Sequence, residues 1–268
     1  MRYSNLHNHS TFSDGKFSPE ENIQAAIAKS MISIGFSDHS YTEFDPNTYC
    51  MKKERLPEYI AEINRLREKY KDQIEVYLGM ELDGFSDLKD RTPFDYLIGC
   101  CHYVEADGRY FSVDHDRNWQ KDAVETYFDG DYTAYSKAYF EGYVASIQRD
   151  KPDILGHFDL TTKFSLVNEA DPVYRKLATE ALLACLEVVP IIELNTGAIA
   201  RGHRQVPYPA AFLLDEVKKH GGRIILGADS HDIRNLTFYF DESVELLRSC
   251  GFDSIVALHG GRFEEFGI

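Results

Sequence analysis

Residues 3–39 read YSNLHNHSTFSDGKFSPEENIQAAIAKSMISIGFSDH. The stretch holds a short apolar run at residues 3–7, a helix signal, and a second apolar run at residues 33–37. Ser18-Pro19-Glu20-Glu21 opens the helix: Ser18 suits the cap, Pro19 the first helical position, and Glu21 completes a capping box. Ile23, Ala26, Ile27 and Met31 follow at three- and four-residue spacing, which makes one buried stripe. Strand, helix and strand in that order form a βαβ unit, so the two strands are expected to run parallel.

Working outward, the same alternation recurs to the end of the chain. Apolar runs at residues 75–80, 96–101, 153–156, 190–194, 223–227 and 254–258 read as strands. Between them, Tyr59, Ile60, Ile63, Leu66 and Tyr70 mark a helix, and residues 133–149, 172–188, 209–220 and 241–250 supply others. Seven or eight repetitions within 268 residues predict an α/β fold, a closed or nearly closed barrel rather than an open dinucleotide-binding sheet. No GxGxxG follows the first strand, which weakens the dinucleotide reading further. Residues 103–151, with turns at Asp107-Gly108 and Asp129-Gly130-Asp131, are expected to form a long loop plus helix over the barrel mouth. No Pro-rich or Gly/Ser-rich linker divides the chain, so residues 1–268 are expected to be one domain.

Composition narrows the function. With 29 Lys+Arg against 44 Asp+Glu, the net charge of −15 disfavours a nucleic-acid partner held by a general positive field. At 43% hydrophobic the chain can bury a large core, so disorder is not expected. No run approaches the ~20 apolar residues of a membrane span, and Met1-Arg2-Tyr3-Ser4-Asn5 does not open a signal peptide. The cysteines at 50, 100, 101, 185 and 250 are odd in number and lack CxxC spacing, which points to reduced thiols, a cytoplasmic protein, and no thiolate zinc site.

The histidines carry the chemistry. His7 and His9 follow the first strand as His-Asn-His, and alternate residues of an extended chain point the same way. Asp14 lies just beyond; His39 ends the second strand, Glu81 the third, His102 the fourth and His157 the fifth, while Asp229 and His231 close the seventh. In a parallel barrel all of them reach the rim where barrel enzymes place their sites. A single histidine at a strand end is ordinarily a hydrogen-bonded surface residue; six in this arrangement are not explained that way. Six imidazoles and three carboxylates suffice for two or three divalent ions, with Glu81 as a bridge. The nitrogen and oxygen donors fit Zn, Mn or Fe without choosing among them. His220 and His259, by contrast, read as structural, and His115 and His203 lie on loops over the mouth.

The ordered set, from the His-x-His start through Ser37-Asp38-His39, Gly79-Met80-Glu81 and Gly156-His157 to Asp229-Ser230-His231, resembles the polymerase and histidinol phosphatase (PHP) superfamily. The segments Cys101-His102-Tyr103-Val104, Asp153 to Leu160 and Glu193-Leu194-Asn195-Thr196-Gly197 are similar to its histidinol-phosphatase branch. The resemblance implies a distorted (β/α)7 TIM-like barrel. It also implies a division of ligands: His7, His9, Glu81 and Asp229 for one metal; Glu81, His102 and His157 for a second; Asp14, His39 and His231 for a third. The expected activity is hydrolysis of the phosphomonoester L-histidinol phosphate to L-histidinol and phosphate, in histidine biosynthesis. A hydroxide bridging two metals would attack phosphorus, and Asp229 or His231 would relay a proton to the leaving alcohol.

Such a small-molecule substrate also needs cations for its phosphate. Lys163, six residues past His157, and Arg201, with Arg204 behind them, are the candidates on loops at the same rim. For the ammonium and imidazole of the substrate, loop position suggests Glu43, Asp45, Tyr103 and Trp119. The pairs Lys218-Lys219 and Lys52-Lys53 read as solvated helix faces. Two other readings compete: a phosphodiesterase or nuclease of the same superfamily acting on nucleotides or oligonucleotides, and a non-catalytic metal-binding module. The net charge speaks against the first, and the filling of all nine ligand positions against the second.

Overall fold

A computed structural model describes residues 2–45 and 49–268. Its first βαβ unit is β1 (Ser4–Asn5), α1 (Pro19–Ala28) and β2 (Ser33–Phe36). The capping box forms as the residues dictate, with Glu21 N–H donating to Ser18 Oγ and Ser18 N–H to Glu21 Oε2. Then come α2 (Leu56–Tyr70), β3 (Glu75–Asp83), β4 (Tyr96–Cys100), β5 (Tyr103–Ala106), β6 (Arg109–Ser112), α3 (Arg117–Tyr127) and α4 (Tyr132–Asp150). The last third holds β7 (Ile154–Leu155), α5 (Pro172–Leu186), β8 (Ile191–Asn195), α6 (Gly197–Ala200), α7 (Ala211–Lys219), β9 (Arg223–Gly227), α8 (Phe240–Ser249), β10 (Ser254–His259) and β11 (Arg262–Gly267).

Among the described residues nine strands form one curled sheet in the order β1-β2-β3-β4-β7-β8-β9-β10-β11, parallel at every step except the antiparallel β10–β11 hairpin. The strands from β1 to β9 in that order make the distorted (β/α)7 barrel. Its seam lies just beyond the first and seventh strands. Asn8 bridges Ser230 in the parallel sense, with His9 N–H donating to Ser230 O at 2.9 Å and Ser230 N–H to His7 O at 3.1 Å. A second bridge, His39 to Glu81, prolongs the β2–β3 ladder. The backbone that carries His7, His9, His39, Glu81, Asp229 and His231 is thus tied to the sheet.

Period-two alternation sorts the side chains. Leu6, Tyr77, Tyr96, Ile98, Cys100, Ile154, Ile191 and Ile225 fill the barrel interior. The opposite register packs outward: Ile34, Val76, Leu78 and Met80 against α1 and α2, and Leu155, Ile192, Leu194 and Leu226 against α4, α5 and α7. Tyr96 crosses the interior and donates its hydroxyl proton to the Leu6 carbonyl. Gly35 and Gly79 make room for its ring: an added Cβ would stand 2.3 Å from the Tyr96 hydroxyl or 2.2 Å from its Cζ.

Two segments differ from the sequence reading. Residues 103–151 contain a hairpin, β5–β6, and an extra helix, α3, in addition to the expected helix. The two-residue turn Asp107-Gly108 has φ of 51° and 69°, the geometry that pairs strands of right-handed twist. Helix α3 buries only Gln120, Ala123 and Val124, too thin an apolar stripe to be read from periodicity. Strand β11 follows a similar Gly260-Gly261 turn. Among the described residues no helix is long and apolar enough to cross a membrane.

Candidate active site

Along β3 the inward register runs Tyr77, Gly79, Glu81, so Glu81 arrives at the C-terminal rim with its carboxylate buried. Five imidazoles surround it. Its Oε1 lies 2.8 Å from His157 Nε2 and 3.2 Å from His102 Nε2; its Oε2 lies 2.8 Å from His39 Nδ1, 3.4 Å from His7 Nε2 and 3.5 Å from His9 Nε2. Asp229 approaches His9 Nε2 at 3.2 Å and His231 Nδ1 at 3.6 Å. Asp14 pairs with His231 Nε2 at 3.0 Å and stands 3.6 Å from His9 Nδ1 and 3.8 Å from His39 Nε2.

All nine residues singled out from the sequence therefore share one rim. Their donor atoms fall into overlapping groups, each within 4.8 Å: His9, Asp14, His39 and His231; His7, His9 and Asp229; His7, Glu81 and His157; His39, Glu81 and His102. His39, expected beside Asp14 and His231, also reaches Glu81 and His102, so it stands between two groups.

The donor set fits divalent ions. His7 Nε2, His9 Nδ1 and His157 Nδ1 are buried without a hydrogen-bond partner, an arrangement that buried polar atoms ordinarily avoid. The electrostatics agree. Burial works against a charge on His7, yet Glu193, Glu81 and Asp229 outweigh it and raise the pKa well above the usual histidine range. The same contest raises His102 through Glu81 and Asp83, and His39 through Glu81 and Asp14. His9 goes the other way, down to about 3, because burial is reinforced by the neighbouring His231 and His39. Burial opposes ionisation of Glu81 and Asp229 too, but His39, His7 and His102 around the first, and Arg201 and His7 beside the second, hold both well below the carboxylate range. Packed imidazoles and carboxylates of this kind are what bound cations reconcile.

Above the cluster is a cavity of about 180 Å³ lined by Asp14, His39, Tyr49, His102, Asp114, His157, Leu160, Lys163, Arg201, Asp229 and His231. Lys163 Nζ is held by Asp114 through its carboxylate, at 3.2 Å, and its carbonyl, at 3.0 Å. Arg201 faces the same space. Arg204 does not: it donates to the Thr162 carbonyl at 3.1 Å and to Glu169 at 2.6 Å and covers the Tyr208 ring, so its guanidinium is spent on bracing a loop. Glu43 is exposed beside another groove, and Trp119 stacks on His115 at the surface. Tyr103 is buried behind Tyr49 and donates its hydroxyl proton to Asp45 at 2.7 Å.

Several site residues escaped the sequence reading. Asp38, within the quoted Ser-Asp-His, accepts from the N–H and hydroxyl groups of Ser10 and Ser13 and so shapes the loop from His9 to Asp14. Asp83 accepts from His102 Nδ1 at 3.0 Å and from its peptide N–H at 2.9 Å, and Glu193 accepts from His7 Nδ1 at 2.8 Å. The signal was present, since Asp83 repeats the inward register of Glu81, and Glu193 that of Ile191. Tyr49 and Asp114 come from loops, where no period marks them.

The PHP domain family model matches residues 5–197. A Deinococcus radiodurans protein named "Probable histidinol-phosphatase" is 28% identical over 253 residues, 90% of each chain. The histidinol-phosphatase of Lactococcus lactis is 24% identical, covering 99% of this chain and 97% of its own. The crystal structure of a Lactococcus lactis histidinol phosphate phosphatase, complexed with zinc, L-histidinol and phosphate, superposes with a TM-score of 0.72 at 23% identity over 98% of this chain and 99% of that one. With the barrel, the rim of nine donors and a family match across most of its length, the chain belongs to the PHP domain family.

Proposed function

We propose that this chain is a metal-dependent phosphomonoesterase that hydrolyses L-histidinol phosphate to L-histidinol and phosphate, a step of histidine biosynthesis. The observation that carries the reading is the convergence of nine donor residues, Glu81 among them, beneath a small cavity that also presents Lys163 and Arg201. Relatives named histidinol-phosphatase, 24–28% identical over most of both chains, support the substrate. The zinc, L-histidinol and phosphate of the Lactococcus lactis structure support divalent ions in the barrel mouth.

His7, His9, Glu81 and Asp229 would hold one ion, Glu81, His102 and His157 a second, and Asp14, His39 and His231 a third; zinc, manganese and iron all suit them. Bound there, the ions would supply Lewis acidity to the phosphoryl oxygens and lower the pKa of water from ~15.7 to about 7. The remaining work falls to the chain. Arg201 donates to Asp229 at 2.7 Å and keeps further N–H groups for a phosphoryl oxygen. Lys163, steadied by Asp114, adds a point charge on the same side. With the third site empty, His231, hydrogen-bonded to Asp14 and partly exposed at the mouth, would be placed to hand a proton to the leaving oxygen. Tyr49 and Leu160 offer an apolar wall to the imidazole of the substrate. Residues 1–268 would act as one domain, and the five free cysteines support a reducing, cytoplasmic setting.

The test is a panel of L-histidinol phosphate, other phosphomonoesters, bis-p-nitrophenyl phosphate and short oligonucleotides, run with metal analysis of the purified protein. Fastest turnover of L-histidinol phosphate is expected, abolished in Asp229→Ala and in His9→Ala. A preference for diesters or oligonucleotides would replace this reading with that of a family phosphodiesterase.

A further inference from the structure

Glu193 belongs to none of the donor groups, yet three donors converge on its carboxylate. Oε2 accepts from His7 Nδ1 at 2.8 Å, and Oε1 accepts from the His157 peptide N–H at 2.6 Å and from Asn195 Nδ2 at 2.9 Å. The Asn195 amide cannot turn over, because its Oδ1 already accepts from Gly197 N–H at 2.9 Å. Glu193 is 1% exposed and lies in a slot that two glycines leave open. A Cβ at Gly227 would stand 2.2 Å from Oε2, and one at Gly156 would stand 3.3 Å from Oε1. The far nitrogen of His7, Nε2, faces Glu81 Oε2 at 3.4 Å and Asp229 Oδ1 at 3.8 Å and has no hydrogen-bond partner.

We propose that Glu193 is a positioning residue that keeps the His7 proton on Nδ1, frees Nε2 for a metal, and anchors His157 through its backbone, so that one carboxylate serves two donor groups of the centre. The inference rests on the metal-binding reading above. An ionised carboxylate offers about four acceptor sites on two oxygens and can satisfy all three donors. Glutamine, of nearly equal volume, has one acceptor oxygen. In Glu193→Gln that oxygen is best placed at the Oε1 position, where two donors wait, and the amide NH2 then faces His7 Nδ1. His7 must become the acceptor there, its proton moves to Nε2, and the metal-facing lone pair is lost.

The experiment uses zinc-loaded protein carrying 15N-labelled histidine, with the His7 signals identified by their absence in His7→Gln. Wild type should show His7 protonated at Nδ1. Glu193→Gln should lose that signal and bind zinc about 10–100-fold more weakly, while Glu193→Asp, which retains both acceptor oxygens, should recover part of the affinity. Wild-type His7 protonated at Nε2, or Glu193→Gln with unchanged zinc affinity and an unchanged His7 signal, overturns the inference. Should Glu193→Gln fail to fold, the wild-type spectrum decides alone. Wild type that binds no zinc at all overturns the metal-centre reading itself, and this inference with it.

Discussion

Arg201 grips Asp229 twice: its Nη2 donates to Asp229 Oδ2 at 2.7 Å and its Nη1 to the Asp229 carbonyl at 3.1 Å. Asp229 has φ of 45°, in the left-handed region that non-glycine residues seldom adopt, so its placement depends on such restraints. One guanidinium therefore orients a proposed metal ligand and lines the cavity proposed for the phosphate.

Arg201→Ala is accordingly expected to lower kcat/KM for L-histidinol phosphate about 100–1000-fold, the scale of losing a donor to transition-state charge. Arg201→Lys should recover only a small part, because an ammonium cannot span side chain and backbone as the planar fork does. Phosphate-release kinetics decide the point, and near-wild-type values in Arg201→Ala would remove the residue from the phosphate site.

Glu81→Gln keeps the size of the side chain and replaces one oxygen by an NH2 group among five imidazoles. Turnover should fall on the order of 10³-fold or more, with fewer metal ions per chain by elemental analysis. A fully metallated, active variant would deny Glu81 its central place.

Stripping the metals with a chelator should abolish activity and lower the melting temperature by about 10 °C, the scale of losing a ligand present at ~1000 times its Kd in a chain of this size. The crowded imidazoles and carboxylates of the overlapping donor groups are then left without the cations that reconcile them. Calorimetry before and after, with activity restored by zinc or manganese, is the measurement; an unchanged transition would mean that the cluster holds itself together.

Gly79→Ala tests the barrel interior. The new methyl would lie 2.2 Å from Tyr96 Cζ, in a ring boxed by Leu6 and the neighbouring strands. Overpacking of this kind costs about 1–3 kcal/mol, visible as an earlier midpoint in urea. Tyr96→Leu in the same background should return part of the loss by vacating the space.

Much of this was legible in the residues. Alternation of strand and helix led to the barrel because each βαβ unit carries its own local signals, such as the Ser18–Glu21 box and the Ile23, Ala26 stripe. The nine donors were legible because strand ends in a parallel barrel meet at one rim, whatever the details of packing. What escaped has a different character. The β5–β6 hairpin depends on a two-residue turn within what looked like a loop, and β11 on its pairing with β10. Arg204 looked like its neighbour Arg201 in one dimension, but Thr162 and Glu169, distant in sequence, take up its hydrogen bonds. Tyr49 and Asp114 reach the cavity from segments with no period at all. Side chains on regular elements can be aimed from sequence; those on loops are aimed by partners that only folding brings near.

The seam between Asn8 and Ser230 has a consequence for how the protein is made. The two residues lie almost a full chain length apart, and His7, His9, Asp229 and His231 flank them. A nascent chain still short of residue 229 can form several βαβ units, each from local contacts, but it can neither close the barrel nor complete the groups that contain Asp229 and His231. Phosphatase activity should therefore switch on only late in synthesis, and a chain truncated before Asp229 should be inactive however well its first units fold.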